Sequence, residues 1–164
     1  MQVVNRFELE AHAGPYESWP RDSRLRVDGR VVDVRVPGYV IDAQYRVGDE
    51  YLLVTSFDCP YEEASAFVLL DASSRMRARR TLGAATASYL LADHWPIDAA
   101  TLGLHYHGDL FFTLHVAPSR RWSWLRRRLV LRACPGWRDD PRMREAQQRL
   151  AAQLASIRTA LDQG

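Results

Sequence analysis

The stretch Leu25-Arg-Val-Asp-Gly-Arg-Val-Val-Asp-Val-Arg-Val36 decides the fold of this chain. Apolar side chains alternate with charged ones on both sides of Asp28-Gly29, a pattern typical of two half-buried antiparallel strands. Asp-Gly between two alternating runs is the strongest short-range signal for a β-hairpin, because both residues tolerate the positive φ of a tight turn. The stretch therefore predicts a hairpin within an antiparallel sheet.

The same period of two recurs over most of the first 133 residues. A continuous apolar run at 67–70 predicts a strand that is buried on both faces. Gly108-Asp109 predicts a second hairpin with a two-residue loop. Residues 83–96 are ambiguous and fit either a short helix or an irregular crossing. The predicted strands cover 3–11, 25–27, 32–36, 39–47, 51–56, 67–70, 75–82, 102–107, 110–116 and 125–133.

The C-terminal part of the chain changes from strand to helix periodicity. Asp140-Pro141 combines a good N-cap with a proline at the first helical position. The apolar residues that follow recur at spacings of three, four or their multiples, namely Met143, Leu150, Leu154, Ile157 and Leu161. This pattern predicts one amphipathic helix over about 141–162, which covers an open side or edge of the sheet.

These elements together predict a mainly β protein with one C-terminal amphipathic α-helix. The β part, about 3–133, is expected to form an antiparallel meander of about nine strands, as an open sheet or a partly closed barrel. At 164 residues, positions 1–164 are expected to form a single domain.

The composition excludes several kinds of chemistry. All 22 basic residues are arginines, so the chain has no lysine for a Schiff base or for a Walker-type phosphate loop. No apolar run is long enough to span a bilayer, and the first residues lack the pattern of a secretory signal. We therefore expect a cytoplasmic protein with no membrane partner.

Arginine and tryptophan are concentrated near the C-terminus. Residues 118–149 hold ten arginines and three acids, whereas residues 1–117 hold 11 arginines and 16 acids. Guanidinium groups bind carboxylates and phosphates and stack on aromatic rings. We expect a basic and aromatic contact surface made of Arg120, Arg121, Trp122, Trp124, Arg126 and Arg128. It fits an acidic protein partner, a single-stranded nucleic acid bound by 120–132, or internal pairing with the acidic part of the chain.

The loop 57–63 is the second predicted contact surface. It places Asp58, Tyr61, Glu62 and Glu63 between two apolar strands. Loops held on rigid strands often carry function. A cysteine nucleophile at Cys59 would need an imidazole base, which His94 or His105 could supply, but nothing in the sequence brings them together.

The histidines do not predict a metal site. With a two-residue loop at Gly108-Asp109, His105 and His107 share one face of the hairpin and His115 takes the opposite face. A three-residue loop would reverse this parity. Neither a metal nor another cofactor is expected.

The sequence favours a non-enzymatic, cytoplasmic protein-binding module. An immunity-type antagonist of a toxin, or an accessory subunit, is the narrower expectation. The alternatives are a single-stranded nucleic-acid binder using 120–132 and a small hydrolase or ligand-binding β-barrel using the 57–63 loop. Trp19, Trp95 and Trp137 are interpreted as loop anchors packed on the core.

Overall fold

A computed structural model shows a chain built mostly of antiparallel strands. It describes residues 1–57, 64–83, 89–108, 110–118, 127–135 and 141–161. The strands are β1 Gln2–Val3, β2 Phe7–Leu9, β3 Asp22–Val27, β4 Arg30–Pro37, β5 Val40–Val47, β6 Glu50–Ser56, β7 Ser65–Leu70, β8 Met76–Leu82, β9 Leu91–Pro96, β10 Thr101–Tyr106, β11 Leu110–Pro118 and β12 Arg127–Ala133. A 3₁₀ turn spans Tyr16–Ser18, and the helix α1 spans Pro141–Leu161. The predicted mainly β fold with a C-terminal helix is confirmed.

The strands form three open sheets. The N-terminal sheet has the order β2-β3-β4, the central sheet β1-β5-β6-β7-β8 and the C-terminal sheet β12-β11-β10-β9. Neighbouring strands within each sheet pair antiparallel. The described part of the chain is thus a set of meanders with twelve strands, two more than the ten predicted ranges, because the N-terminal segment is split into two strands and none of those ranges covers β9.

Two apolar cores hold the three sheets in layers. The first lies between the central and C-terminal sheets and includes Phe67 and Leu104. The second lies between the N-terminal and central sheets and includes Leu25 and Val68. All six residues of β7 are buried, since its side chains alternate between the two cores. The predicted two-sided burial of this apolar run is confirmed.

The Asp28-Gly29 hairpin joins β3 and β4 as predicted. Val27 pairs with Arg30, and Asp28 and Gly29 adopt φ values of 49° and 77°. Both angles are positive, as a type I′ turn requires. The Asp28 carboxylate also lies 2.6 Å from the Arg6 guanidinium, which ties the turn to the N-terminal segment.

The N-terminal segment differs from the single strand predicted over 3–11. Its first residues pair with β5, and it then crosses into the N-terminal sheet at Phe7. The side chain of Gln44 bridges the crossing: its Oε1 accepts from the backbone N–H groups of Arg6 and Phe7 at 2.9 and 3.0 Å, and its Nε2 donates to the Phe7 carbonyl at 3.1 Å. Alternation alone cannot reveal such a change of sheet, because both pieces keep the same period.

The segment 83–96 contains a strand rather than a short helix. Leu91–Pro96 forms β9, the edge of the C-terminal sheet, paired with β10. The helix α1 lies against β9, where Gln147 donates to the Asp93 carboxylate at 2.8 Å. The helix is confirmed near its predicted bounds, although the side chains of its apolar stripe lie outside the described residues. Among the described residues, no helix is both long and apolar enough to cross a membrane.

The β10–β11 hairpin has a longer connection than predicted. Tyr106 pairs with Leu110, so three residues connect the strands and the predicted two-residue loop is wrong. The parity therefore reverses, and His105 and His115 share a face. His105 pairs with Phe111, and His115 pairs with Thr101. These two pairs are four positions apart along the ladder, so the two histidines are separated by roughly 13 Å along the strands. Sharing a face therefore does not bring the two imidazoles together.

Candidate functional site

Most of the predicted contact residues lie outside the described part of the chain. This applies to Arg120, Arg121, Trp122, Trp124 and Arg126 of the basic surface and to Asp58, Tyr61, Glu62 and Glu63 of the acidic loop. Arg128 is described: it is exposed on β12 and pairs with Ala117. The acidic loop leaves β6 and enters β7 where Ser56 and Ser65 pair, so its anchor points are fixed.

A cluster of five rings lies beside the start of this acidic loop. We call it the aromatic cluster, and it consists of His12, Tyr16, Trp19, Tyr39 and Phe57. Tyr39 is its hub, because its ring contacts the other four at centroid distances of 5.2–5.6 Å. All five side chains are half-buried, which leaves part of each open to solvent.

Backbone geometry fixes the hub. Gly38 precedes Tyr39 and has a φ of 94°, and a β carbon at this position would lie 2.5 Å from the Ser56 carbonyl oxygen. Only glycine permits this close approach. The Tyr39 N–H donates to that same carbonyl at 2.7 Å, so the hub is held against the end of β6.

Hydrogen bonds hold the rings contributed by the segment between β2 and β3. The Ser23 hydroxyl donates to the Gly38 carbonyl at 2.6 Å, so its oxygen accepts from His12 Nε2 at 2.8 Å. The Trp19 indole N–H donates to the Gly14 carbonyl at 3.1 Å. His12 Nε2 and the Trp19 indole N–H are thus bonded within the protein.

The ring geometry favours a contact face over a ligand slot. The four contacts of Tyr39 are edge-to-face, with interplanar angles of 76–89°. Rings packed this closely occupy one another's faces, so a small ligand cannot lie between them. Partly exposed tryptophan and tyrosine are enriched among the residues that contribute most to binding at protein interfaces.

The sequence around the aromatic cluster is acidic. Residues 8–20 and 57–63 together contain six carboxylates and no arginine. Arg21 directly follows the first of these segments. Glu8 and Glu17 are exposed, and Glu10 is half-buried. Four of the five rings, those of His12, Tyr16, Trp19 and Phe57, thus belong to two sequence segments of net negative charge.

The described ion pairs all lie within the first 117 residues. Arg6 pairs with Asp28, Arg77 with Asp71 and Arg79 with Asp22, at 2.6, 3.9 and 3.3 Å. Arg128 and Arg132 take part in none of the described ion pairs, and both are exposed. Pairing of the predicted basic surface with acidic residues of the same chain therefore stays a prediction.

The two histidines considered as bases for Cys59 lie on opposite faces of the C-terminal sheet. His94 pairs with Leu104 on the core face, and its Nδ1 lies 2.6 Å from the Tyr45 hydroxyl. His105 lies on the other face, stacked on Phe111 at 4.4 Å. Cys59 itself lies outside the described residues.

Burial keeps the Tyr45–His94 pair neutral. It raises the pKa of Tyr45, an effect to which Asp93 adds, and it lowers the pKa of His94, which Asp93 only partly opposes. The Tyr45 hydroxyl and His94 Nδ1 form a hydrogen bond of 2.6 Å. The pair is an ordered hydrogen bond between two uncharged groups.

The described histidines form no metal site. Among the described residues, no three His, Cys, Asp or Glu side chains are close enough to hold an ion. His115 Nδ1 instead lies 2.9 Å from the Thr101 hydroxyl.

Sequence reasoning did not identify the aromatic cluster. Trp19 was interpreted as a loop anchor, and its half-burial fits that interpretation in part. The local signal was the density of rings at positions 12, 16 and 19 in a segment without apolar periodicity. The other two rings come from the ends of distant strands, and a single sequence does not show which strand ends meet.

The chain matches no known protein-family model, no curated protein and no solved structure. Its function is therefore inferred from its own residues.

Proposed function

We propose that this protein is a protein-binding module that docks through the aromatic cluster. The observation that carries the proposal is the packing of four half-buried rings around a fifth, that of Tyr39, with His12 Nε2 and the Trp19 indole N–H held in internal hydrogen bonds. Such a surface presents a large, rigid apolar area, which loses little side-chain entropy on binding.

The charge around the aromatic cluster indicates the chemistry of the partner. Six carboxylates flank the rings in sequence, and two of the three described glutamates, Glu8 and Glu17, are exposed. A partner surface rich in arginine or lysine would match these negative charges. An immunity-type antagonist that blocks a basic toxin, or an accessory subunit of a basic protein, is the narrower form of this proposal.

A nucleic acid is the rival partner. Arg128 and Arg132 are exposed on β12, outside the described ion pairs, and they belong to the segment 120–132 predicted to bind single-stranded nucleic acid. Binding there would be lost steeply with salt, because each phosphate contact releases counterions. It would not depend on Trp19.

The test is quantitative binding to an identified partner. The protein is used to capture partners from native lysate with and without nuclease treatment, and a captured protein is then purified and titrated by calorimetry. We expect Trp19→Ala to weaken binding by about 2 kcal/mol or more, as for a central interface tryptophan. Leu110→Ala is the matched control, since Leu110 is an exposed apolar residue of the C-terminal sheet.

Two results would contradict the proposal. One is a Trp19→Ala variant that is folded and binds as tightly as the wild type. The other is recovery of nucleic acid alone, lost on Arg128→Ala and Arg132→Ala substitution, which would transfer the function to the basic segment.

A further inference from the structure

The strand β4 forms one edge of the N-terminal sheet. It pairs with β3 on one side, and among the described residues no strand pairs with its other side. The other long edge strands have neighbouring elements: β8 and β12 lie close to each other, and α1 lies against β9. A strand of eight residues with a free edge can accept a further strand through main-chain hydrogen bonds.

The direction of the β4 backbone groups follows from its neighbours. The Arg24 carbonyl accepts from the Glu10 N–H at 2.9 Å, so Arg24 directs its backbone groups to the β2 side. Arg35 pairs with Arg24 and therefore directs its own groups away from β3, to the free edge. The register irregularity before this pair spans four positions on β4 and two on β3, so the period of two continues through it. Asp33 thus shares the free edge with Arg35.

Charged and apolar side chains alternate along this edge. Asp33 and Arg35 are exposed on the outer face of the sheet, whereas Val32 and Val34 are half-buried against the core between the N-terminal and central sheets. Asp33 takes part in none of the described ion pairs. Arg35 donates from Nη1 to the Asp22 carbonyl at 3.2 Å, and a guanidinium has further donors. The edge therefore carries one charge of each sign, two positions apart on one face.

This pattern is self-complementary in one register. When two β4 strands pair antiparallel with Val34 on a two-fold axis perpendicular to the sheet, Asp33 of each copy lies opposite Arg35 of the other, which gives two symmetric ion pairs. Both residues direct their backbone groups to the free edge, so each of these pairs can also exchange two main-chain hydrogen bonds. Registers centred on Asp33 or Arg35 place like charges opposite each other, which is unfavourable.

We propose that this protein forms a symmetric dimer through the free edge of β4, which joins two N-terminal sheets of three strands into one sheet of six. A second copy is the occupant because the charges of this edge complement themselves. The two Val34 side chains lie side by side and extend the apolar core across the axis. A single pair of strands buries little area, so the dimer dissociates on dilution. The edge contains no ring of the aromatic cluster, so this proposal is independent of the proposed function.

Sedimentation velocity of the full chain over a wide range of protein concentrations measures the association. We expect the wild type to shift from monomer to dimer as the concentration rises. Asp33→Arg makes the charges of the edge all positive and Arg35→Asp makes them all negative, so each variant alone should associate at least about fivefold more weakly. An equimolar mixture of the two variants should associate again, because the positive edge of one then pairs with the negative edge of the other.

Asp49→Arg is the matched control. Asp49 is exposed in the turn between β5 and β6, so its variant should associate like the wild type. Three results would each overturn the proposal: a wild type that stays monomeric at every concentration, folded single variants that associate as well as the wild type, and a mixture of the two variants that does not regain association.

Disulfide cross-linking tests the register. Val34→Cys and Val31→Cys are compared in a background in which both native cysteines, Cys59 and Cys134, are replaced by serine. In the proposed dimer, the two copies of position 34 are directly opposite, at a Cα separation of about 4.5 Å that suits a disulfide. Val31 is 53% exposed, more than the half-buried Val34, but the two copies of position 31 lie far apart. We expect Val34→Cys to cross-link faster under mild oxidation. Equal or faster cross-linking of Val31→Cys would contradict the register.

Discussion

Trp95 lies across the backbone of Gly103, its partner on the neighbouring strand. A β carbon at position 103 would lie 2.4 Å from Cε2 and 2.5 Å from Nε1 of the indole. Trp95 is fully buried, so its ring cannot move out of the way into solvent. The absence of a side chain at position 103 is therefore a condition for the packing of β9 on β10.

We expect Gly103→Ala to reduce the free energy of unfolding by about 1–3 kcal/mol, the usual cost of overpacking a close-packed site. Urea unfolding followed by fluorescence measures the change. In a Trp95→Leu background, the same substitution should cost less, because the indole atoms are gone. Equal costs in both backgrounds would show that the ring is not the obstacle.

Gln44→Ala should destabilise the protein by about 2–3 kcal/mol, because it leaves two backbone N–H groups and one carbonyl at the crossing without their partner. Thermal unfolding monitored by circular dichroism provides the measurement. Gln2→Ala is the control, since Gln2 is an exposed glutamine of the adjoining strand. If both variants lose the same small amount of stability, the hydrogen bonds of the Gln44 amide do not stabilise the crossing.

Acid should destabilise the protein through His94. Burial lowers the pKa of this histidine below its ordinary value of 6.5, so the unfolded chain takes up a proton before the folded chain does. Stability from this group is fully present above about pH 6.5 and falls as the pH drops towards the lowered folded pKa. The free energy of unfolding, measured by urea titration at pH 7.5 and 5.5, should thus decrease more in the wild type than in His94→Gln.

His107→Gln serves as the control for this pH dependence, because His107 is exposed in the turn after β10. Its variant should retain the wild-type difference between the two pH values. A wild-type difference that also survives in His94→Gln would assign the effect to another group.

The contact between α1 and β9 is tested by two neighbouring glutamines. Gln147 donates to Asp93 at 2.8 Å, whereas Gln148 is exposed. Gln147→Ala should cost about 1 kcal/mol, and hydrogen exchange of the helix amides should become faster. Gln148→Ala should change neither quantity. The docking contact would be disproved if the two variants behaved alike.

Local signals in the sequence predicted the elements well. Asp28-Gly29 specified a turn that needs two positive φ angles, and the apolar run of β7 specified burial on both faces. The stacking of the three sheets is not predictable from the sequence. The alternation of apolar and charged residues shows that Leu25 is buried but not which sheet covers it. At the second hairpin, Gly108 fits a two- or a three-residue connection, and only the strand register distinguishes them.

The candidate sites were less accessible to sequence reasoning than the fold. Composition alone indicates the acidic loop, and its first residue, Phe57, lies in the aromatic cluster. The sequence predicts Tyr39, the hub, only as the first residue of an ordinary strand after Pro37-Gly38. The four rings that contact Tyr39 come from positions 12 to 57. Contacts between residues so far apart in sequence depend on how β3 pairs with β4 and β5 with β6.

The two-sided burial of β7 has a consequence for refolding. A chain that has not yet docked its N-terminal sheet exposes Leu53, Val68 and Leu70 on the outer side of β6 and β7. Exposed apolar strands of this kind associate with copies of themselves. The yield of refolded monomer should therefore fall as the protein concentration rises, and the substitution that loosens the crossing at Gln44 should make that fall steeper.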